Sequence, residues 1–443
     1  MAARAAYGYR AGMDLSYPPE AEEFRGTVRS WLEENLPDGW GTPAFSMTTE
    51  ERNAFYEEWN KKLFAGGWIC AGWPTEYGGK GLTLLEQVVV NEEFGRVGAP
   101  LRGDFFGDTL VGPTLLQWGS EEQKAKFIPG ILRGEIAWCQ GFSEPDAGSD
   151  LAGLKTRAVL DGDEWVINGQ KVWNTSAHHA DMGMLLARTD PGVPKHQGIT
   201  YFALPMHQPG VEVRQLRQMN FHASFNEVFL TDARIPRDNV IGGVGQGWTA
   251  ALTTLAYERR FSALRRPDYS PAPGRALDEA RAEADDYFAT YSWYPQRAGR
   301  PDLVVEHARA AGVSDDPVIR QAIARLITMQ RASVWTAERA RVARALGARP
   351  GAEGSIGKLA ASNIARESAR VHAMIAGAAA LLTGPESPFG GVIAEVLMSV
   401  PGQSIAGGTD EIQKNILAEK VLGLPGEIRV DRDVPFSQIR HRG

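Results

Sequence analysis

The chain has 443 residues, 43% of them apolar and 23% charged, with a formal net charge of −7. That length supports a sizeable hydrophobic core, and that apolar share excludes wholesale disorder. The acidic balance argues against nucleic acid, which wants a basic face, but leaves room for a small ligand carrying phosphate.

From Pro18 to about Leu132 the patterning is helical. Ala21, Phe24, Val28, Trp31 and Leu32 recur at three- and four-residue steps, one face of an amphipathic helix. Thr48-Thr49-Glu50-Glu51 reads as a helix start leading into Phe55, Trp59 and Leu63. Trp68 to Gly81 reads as a loop, Leu82 to Arg96 as a helix, and Ser120 as the N-cap of another. From about Trp138 to Val240 the pattern becomes β, with strands predicted over Thr156–Leu160, Glu164–Asn168, Met184–Ala187, Ile199–Leu204, Val211–Leu216 and Glu227–Leu230. Asp161-Gly162-Asp163 is read as a hairpin turn and Asn168-Gly169 as the opening of a second. Such short strands suggest a compact barrel or sandwich.

Helical patterning resumes at Gly247. Asp315-Asp316-Pro317 starts a helix with Ile319, Ile323, Leu326 and Ile327 on one face and Gly347 as its C-cap candidate. Ser355 to Leu382 reads as one long Ala-rich helix. Between these lies a Pro-rich stretch, Arg266 to Asp302, that reads as an insertion; its Tyr287, Tyr291, Trp293 and Tyr294 either line a pocket or staple the insertion down. The expected divisions are a loose extension over 1–16, helices over 17–136, a β domain over 137–243, helices over 244–425 and a tail over 426–443.

The two cysteines, Cys70 and Cys139, stand outside CxxC or histidine-rich spacing, so no disulfide framework and no metal site is expected. No apolar run approaches the roughly 18 residues a membrane helix needs, and Met1–Arg10 has no export-signal core. A reducing bacterial cytoplasm is the expected compartment.

Four segments carry chemistry. Cys139 to Asp150 combines hydroxyls, small residues and a Pro-fixed turn that can present N–H groups to an anion, or be an ordinary surface turn. In Lys171-Val172-Trp173-Asn174-Thr175-Ser176, a strand would put Trp173 and Thr175 on one face, suited to a flat heteroaromatic ring; a core Trp is the plainer reading. Ile405 to Ile412 has two glycines for close backbone approach and Thr409 as a helix cap, or is an interhelix turn. Tyr257-Glu258-Arg259-Arg260 offers a carboxylate base, or a solvated charge run.

Together these segments resemble the acyl-CoA dehydrogenase family of flavoproteins, from about Tyr17 to Leu424. The matching stretches are Phe142–Asp150, Gly169–Thr175 and Gly408–Gln413. The resemblance implies a mainly α chain with an N-terminal helical domain, a middle β-barrel and a C-terminal four-helix bundle. It implies FAD, an acyl-CoA thioester substrate as in fatty acid β-oxidation, an electron-transfer flavoprotein as acceptor, and a homotetramer or homodimer. By the same resemblance, Ser143 and the backbone at Phe142 would hold the flavin ring, and Gly148 and Ser149 would lie near its pyrophosphate and the acyl-CoA. Trp173 and Thr175 would flank the isoalloxazine, with Asn174, Thr409, Glu411 and Arg309 also on the cofactor side and Tyr257, Arg259 and Gly408 on the substrate side.

The sequence departs from the family in two places. Well-known members place a catalytic glutamate immediately before the Gly-Thr of the third motif, where this chain has Gly407. A subset carries the base on a bundle helix before an arginine, the position of Glu258, while the Gly407 N–H remains available to the thioester carbonyl. The family's Arg-x-x-Phe-Gly segment is reduced here to Arg309-Ala310-Ala311-Gly312. Competing expectations are a flavin oxidase or monooxygenase on the same fold, and a non-catalytic FAD-binding subunit of a hetero-oligomer.

Overall fold

The computed structural model describes residues 17–42, 44–102, 104–263, 295–345, 351–352, 354–384, 386–428 and 430–439. Most of the Pro-rich insertion, with its four aromatic residues, and the candidate cap Gly347 lie outside these.

The N-terminal region is built from α1 (Pro19–Asn35), α2 (Thr49–Ala65), α3 (Leu84–Arg96), α4 (Gly112–Trp118) and α5 (Glu121–Arg133). Capping explains three of the starts. Thr48, Thr83 and Ser120 each accept the N3 amide, and Glu51, Glu86 and Gln123 reach back to the cap amide. Trp31, Trp59, Trp68 and Phe94 pack into one aromatic cluster behind them.

The middle region holds β1 (Trp138–Gly141), β2 (Arg157–Asp161), β3 (Glu164–Val172), β4 (Met182–Arg188), β5 (Ile199–Pro205), β6 (Val211–Leu216), β7 (Phe225–Pro236) and β8 (Val240–Ile241). They form one sheet ordered β6-β7-β3-β2-β4-β5-β8, with β1 paired parallel to β4. The expected barrel is not closed. Among the described residues β6 pairs only with β7 and the two-residue β8 only with β5, so the two edges do not meet. The central strands β4 and β5 are apolar on both faces. Leu185, Ala187, Phe202 and Leu204 pack with Trp165, Ile167 and Leu230 on one side. Met184, Leu186, Tyr201 and Ala203 join the helical core on the other.

Asp161-Gly162-Asp163 does form the β2–β3 hairpin turn. Asn168-Gly169 does not open a second one: β3 runs through it with a shift of register against β7. A Cβ on Gly169 would meet Thr156 Oγ1 at 2.4 Å, so this glycine serves close packing rather than a turn.

The C-terminal region comprises α6 (Gly247–Ala263), α7 (Val304–Ala310), α8 (Pro317–Ala345), α9 (Gly354–Ala376), α10 (Val392–Ser399) and α11 (Asp410–Ile416). The Ala-rich helix ends at Ala376, short of the expected Leu382, because Gly377 takes φ +55° and a 3-10 turn follows. Gly247 lets α6 start against β5, since a Cβ there would lie 2.5 Å from the Thr200 carbonyl carbon. Thr254 Oγ1 meets Thr114 Oγ1 at 2.8 Å, and Trp118 Nε1 donates to Thr253 Oγ1 at 3.0 Å. Leu252, Ala256 and Glu258 of the same helix line a cleft. Among the described residues no helix is long and apolar enough to cross a membrane.

Candidate active site

A continuous cleft of 3220 Å³ runs between the sheet, the N-terminal helices and the C-terminal helices. Ser143, Gly148, Ser149, Trp173, Thr175, Glu258, Gly407, Gly408 and Thr409 all line it. Three separated stretches of sequence therefore meet there with Glu258 of α6.

The first wall is the turn after β1. Lys171, only 1% exposed, donates from Nζ to the Phe142 carbonyl at 3.1 Å and to Glu144 Oε1 at 2.9 Å. Glu144 in turn accepts from the Lys155 and Thr156 amides at 2.6 and 2.9 Å. Burial pushes the Glu144 carboxyl upward, but Lys171 and the hydrogen bonds at Lys155 and Thr156 outweigh it and hold the group below its ordinary range. Burial draws Lys171 downward. Phe142 itself is not on the cleft surface; its ring is buried edge-to-face against Tyr201, so only its backbone serves the turn.

The second wall is Trp173 to Ser176. These residues are not a strand continuation: β3 stops at Val172 and Trp173 takes φ +64°. Trp173 and Thr175 reach the cleft from a left-handed turn, not by strand alternation. Trp173 remains 60% exposed, braced edge-to-face by Phe225 with ring centroids 5.8 Å apart. Asn174 is buried and structural: its Nδ2 donates to the Gln140 carbonyl at 2.6 Å, and its backbone carbonyl accepts from Asn226 Nδ2 at 2.7 Å. Gln140, on the cleft lining, has a buried Nε2 with no hydrogen-bond partner among the described residues.

The third wall is the turn before α11. Gly407 and Gly408 both have positive φ, +65° and +83°. Thr409 caps α11 by accepting the Ile412 amide, and Gln413 Nε2 ties back to the Gly407 carbonyl at 2.8 Å. Asp410 is buried, accepts from Lys358 and Ser362 at 3.1 and 2.9 Å and forms an ion pair with Arg366 at 3.3 Å, three residues spaced along one face of α9. Burial raises the Asp410 carboxyl, but the hydrogen bonds from Ser362 and Lys358 prevail and keep it low. It is thus an anchor behind the turn. Glu411 is solvent-exposed and does not line the cleft.

The decisive geometry joins the third wall to α6. A Cβ built on Gly407 would lie 3.3 Å from Glu258 Oε1. The carboxylate of a residue far upstream therefore reaches the space a side chain at 407 would enter. Tyr257, next to it, does not line the cleft, and the Arg259 side chain lies outside the described residues. Arg309 is exposed on α7, paired with Glu306 at 2.6 Å, and also off the lining.

Sequence reading missed Lys171 and Glu144 as the supports of the first wall. The available signal was a lysine in the buried phase of β3, shared with Trp165 and Ile167.

Family comparison agrees with this architecture. The models described as acyl-CoA dehydrogenase N-terminal, middle and C-terminal domains match residues 18–135, 139–233 and 302–422. Acyl-CoA dehydrogenase IpdE1 of Mycobacterium tuberculosis is 38% identical over 424 residues, covering 93% of this chain and 99% of that protein. The chain belongs to the acyl-CoA dehydrogenase family and is an oxidoreductase of that class. Among solved structures it is similar to one described as the Tcur3481-Tcur3483 steroid ACAD, with TM-score 0.68 and 31% identity, over 94% of this chain and 100% of that one. It is also similar to the ChsE4-ChsE5 complex from Mycobacterium tuberculosis, with TM-score 0.65 and 28% identity, over 94% and 100% of the two chains.

Proposed function

We propose that the chain oxidises an acyl-CoA thioester to the 2-enoyl-CoA with FAD, and that Glu258 takes the α-proton. The observation that carries this reading is the approach of Glu258 Oε1 to the side-chain space of Gly407. A base there needs no side chain at 407, and the Gly407 N–H stays free to polarise the thioester carbonyl as charge develops on it. When bound, FAD supplies the acceptor for the hydride leaving the β-carbon.

The lining suits such a cofactor. Trp173 offers an exposed flat face, Ser143 and Thr175 offer hydroxyls, and Gln140 holds an unmatched buried donor. In this reading Ser143, Trp173, Thr175 and Thr409 hold the flavin, while Gly148 and Ser149 face phosphate and the thioester. Glu258 then removes the proton from the α-carbon, with Leu252 and Ala256 of the same helix beside it on the cleft lining. An electron-transfer flavoprotein as acceptor and a bacterial cytoplasmic setting complete the proposal, the latter in keeping with the bacterial relatives. A C-terminal four-helix bundle is the family arrangement we assign to the helices after Gly247.

The relatives favour a ring-bearing acyl group, since one is described as a steroid enzyme. They also favour a second, different subunit over a homotetramer, since another is described as a complex of two named proteins. In this reading Arg309, exposed and off the lining of its own cleft, faces a neighbouring subunit.

The test is anaerobic titration of the yellow protein with straight-chain and ring-bearing acyl-CoA thioesters. Bleaching of the flavin band is expected with at least one. Glu258→Gln is expected to keep ligand binding and lose about 10²–10⁴ in turnover. Near-normal turnover in that variant removes Glu258 as the base. Absence of bleaching with every thioester favours the non-catalytic subunit.

A further inference from the structure

The family models end at residue 422, yet Val430–Ile439 is folded onto the β domain. The Phe436 and Ser437 amides donate to the carbonyls of Val193 and Pro191 at 2.9 and 2.8 Å, and Pro435 bridges to Pro194 in the β4–β5 connection. Phe436 is buried, with the Arg188 guanidinium 3.4 Å from its ring centroid.

Two cations carry this contact onward. Arg188 donates to the carbonyls of Ala152, Leu154 and Lys195 at 2.7, 3.1 and 3.0 Å. Lys195 Nζ lies between Asp431, at 2.8 Å, and Asp150, at 3.0 Å. Asp150 directly follows Gly148 and Ser149 of the cleft lining. Beyond them, the Lys155 and Thr156 amides are held by Glu144. Both sides of the 150–156 segment are therefore fixed, one by Glu144 and the other by the C-terminal residues acting through Arg188 and Lys195.

We infer that Val430–Ile439 is a strap that positions the Gly148–Leu154 segment, with Phe436 and Asp431 as positioning residues for ligand anchoring at Ser149. The strap touches no ligand itself. It restrains the backbone that presents the Ser149 hydroxyl, so its loss loosens binding and leaves proton removal at Glu258 alone. The effect on binding rests on the assignment of Gly148 and Ser149 to the cofactor and thioester.

The test compares Phe436→Ala and the milder Asp431→Asn with the full-length holoenzyme, and uses Phe436→Tyr as rescue. Amide hydrogen exchange over 148–154 is expected to speed up about tenfold in Phe436→Ala, with exchange across α1 unchanged. KM for an acyl-CoA that bleaches the wild-type flavin is expected to rise roughly three- to tenfold with kcat within about twofold, Asp431→Asn showing a smaller rise and Phe436→Tyr near-normal values. Unchanged exchange over 148–154 in both alanine and asparagine variants overturns the strap. Faster exchange with unchanged KM and unchanged FAD retention on dialysis overturns its role in ligand anchoring. If the wild-type flavin is bleached by no thioester, the acyl-CoA reading fails on its own, and exchange together with FAD retention still decides the strap.

Discussion

Two lysine–carboxylate pairs stand behind the two turns of the cleft, and they are built in opposite senses. Behind Phe142–Ser149 the lysine is the deeper member: Lys171 is 1% exposed and Glu144 7%. Behind Ile405–Thr409 the carboxylate is deeper, with Asp410 bound by Lys358 and Ser362 and paired with Arg366 while Lys358 stays partly in contact with solvent. The first pair grips main chain directly, through the Phe142 carbonyl and the Lys155 and Thr156 amides. The second grips the start of a short helix, and the turn before it is shaped by Thr409 and Gln413. The contrast teaches that a cleft-lining turn can be stiffened by a buried cation or a buried anion. The cost of breaking each depends on which charge is left behind and whether it can reach water.

The largest effect is expected at Lys171. Lys171→Met leaves Glu144 buried with only backbone donors and should cost about 3–5 kcal/mol, read as a loss of unfolding free energy in urea. A cost below about 1 kcal/mol would erase the distinction between the two pairs. Asp410→Asn keeps the shape and some hydrogen bonding, and Lys358 can turn outward, so about 1–3 kcal/mol is expected in the same measurement. The smallest effect sharpens the comparison by pH. Glu144 and Asp410 both titrate below their ordinary range in the folded chain. Their stabilisation is therefore complete above the unfolded-state values near pH 4 and is lost as pH falls through the depressed ones. Glu144→Gln and Asp410→Asn should each flatten the fall in urea midpoint between about pH 4 and pH 2, and a slope as steep as wild type would show that neither carboxylate carries it.

Much of this was legible in sequence because the signals are local. Caps at Thr48 and Ser120, the Asp161–Asp163 turn and the glycines before Thr409 are decided within a few residues. The errors arose where distant chain decided the outcome. Gly169 looked like a turn former and instead makes room for Thr156. Trp173 and Thr175 were assigned by strand alternation, whereas a left-handed Trp173 delivers them. The open edges at β6 and β8 follow from pairings that strand patterns do not reveal. Lys171 stood in a motif with no role assigned to it, because its partner Glu144 lies on another segment.

The meeting of Glu258 with Gly407 has a consequence for how such chains diverge. In the proposed reading the cleft requires a carboxylate at one point in space, and that point can be supplied from a helix or from a turn some 150 residues away in the chain. On that reading the acid–base group can move from one address to the other without rebuilding the scaffold. Under the proposed assignment of Glu258, the glycine at 407 marks a transferred duty rather than a lost one.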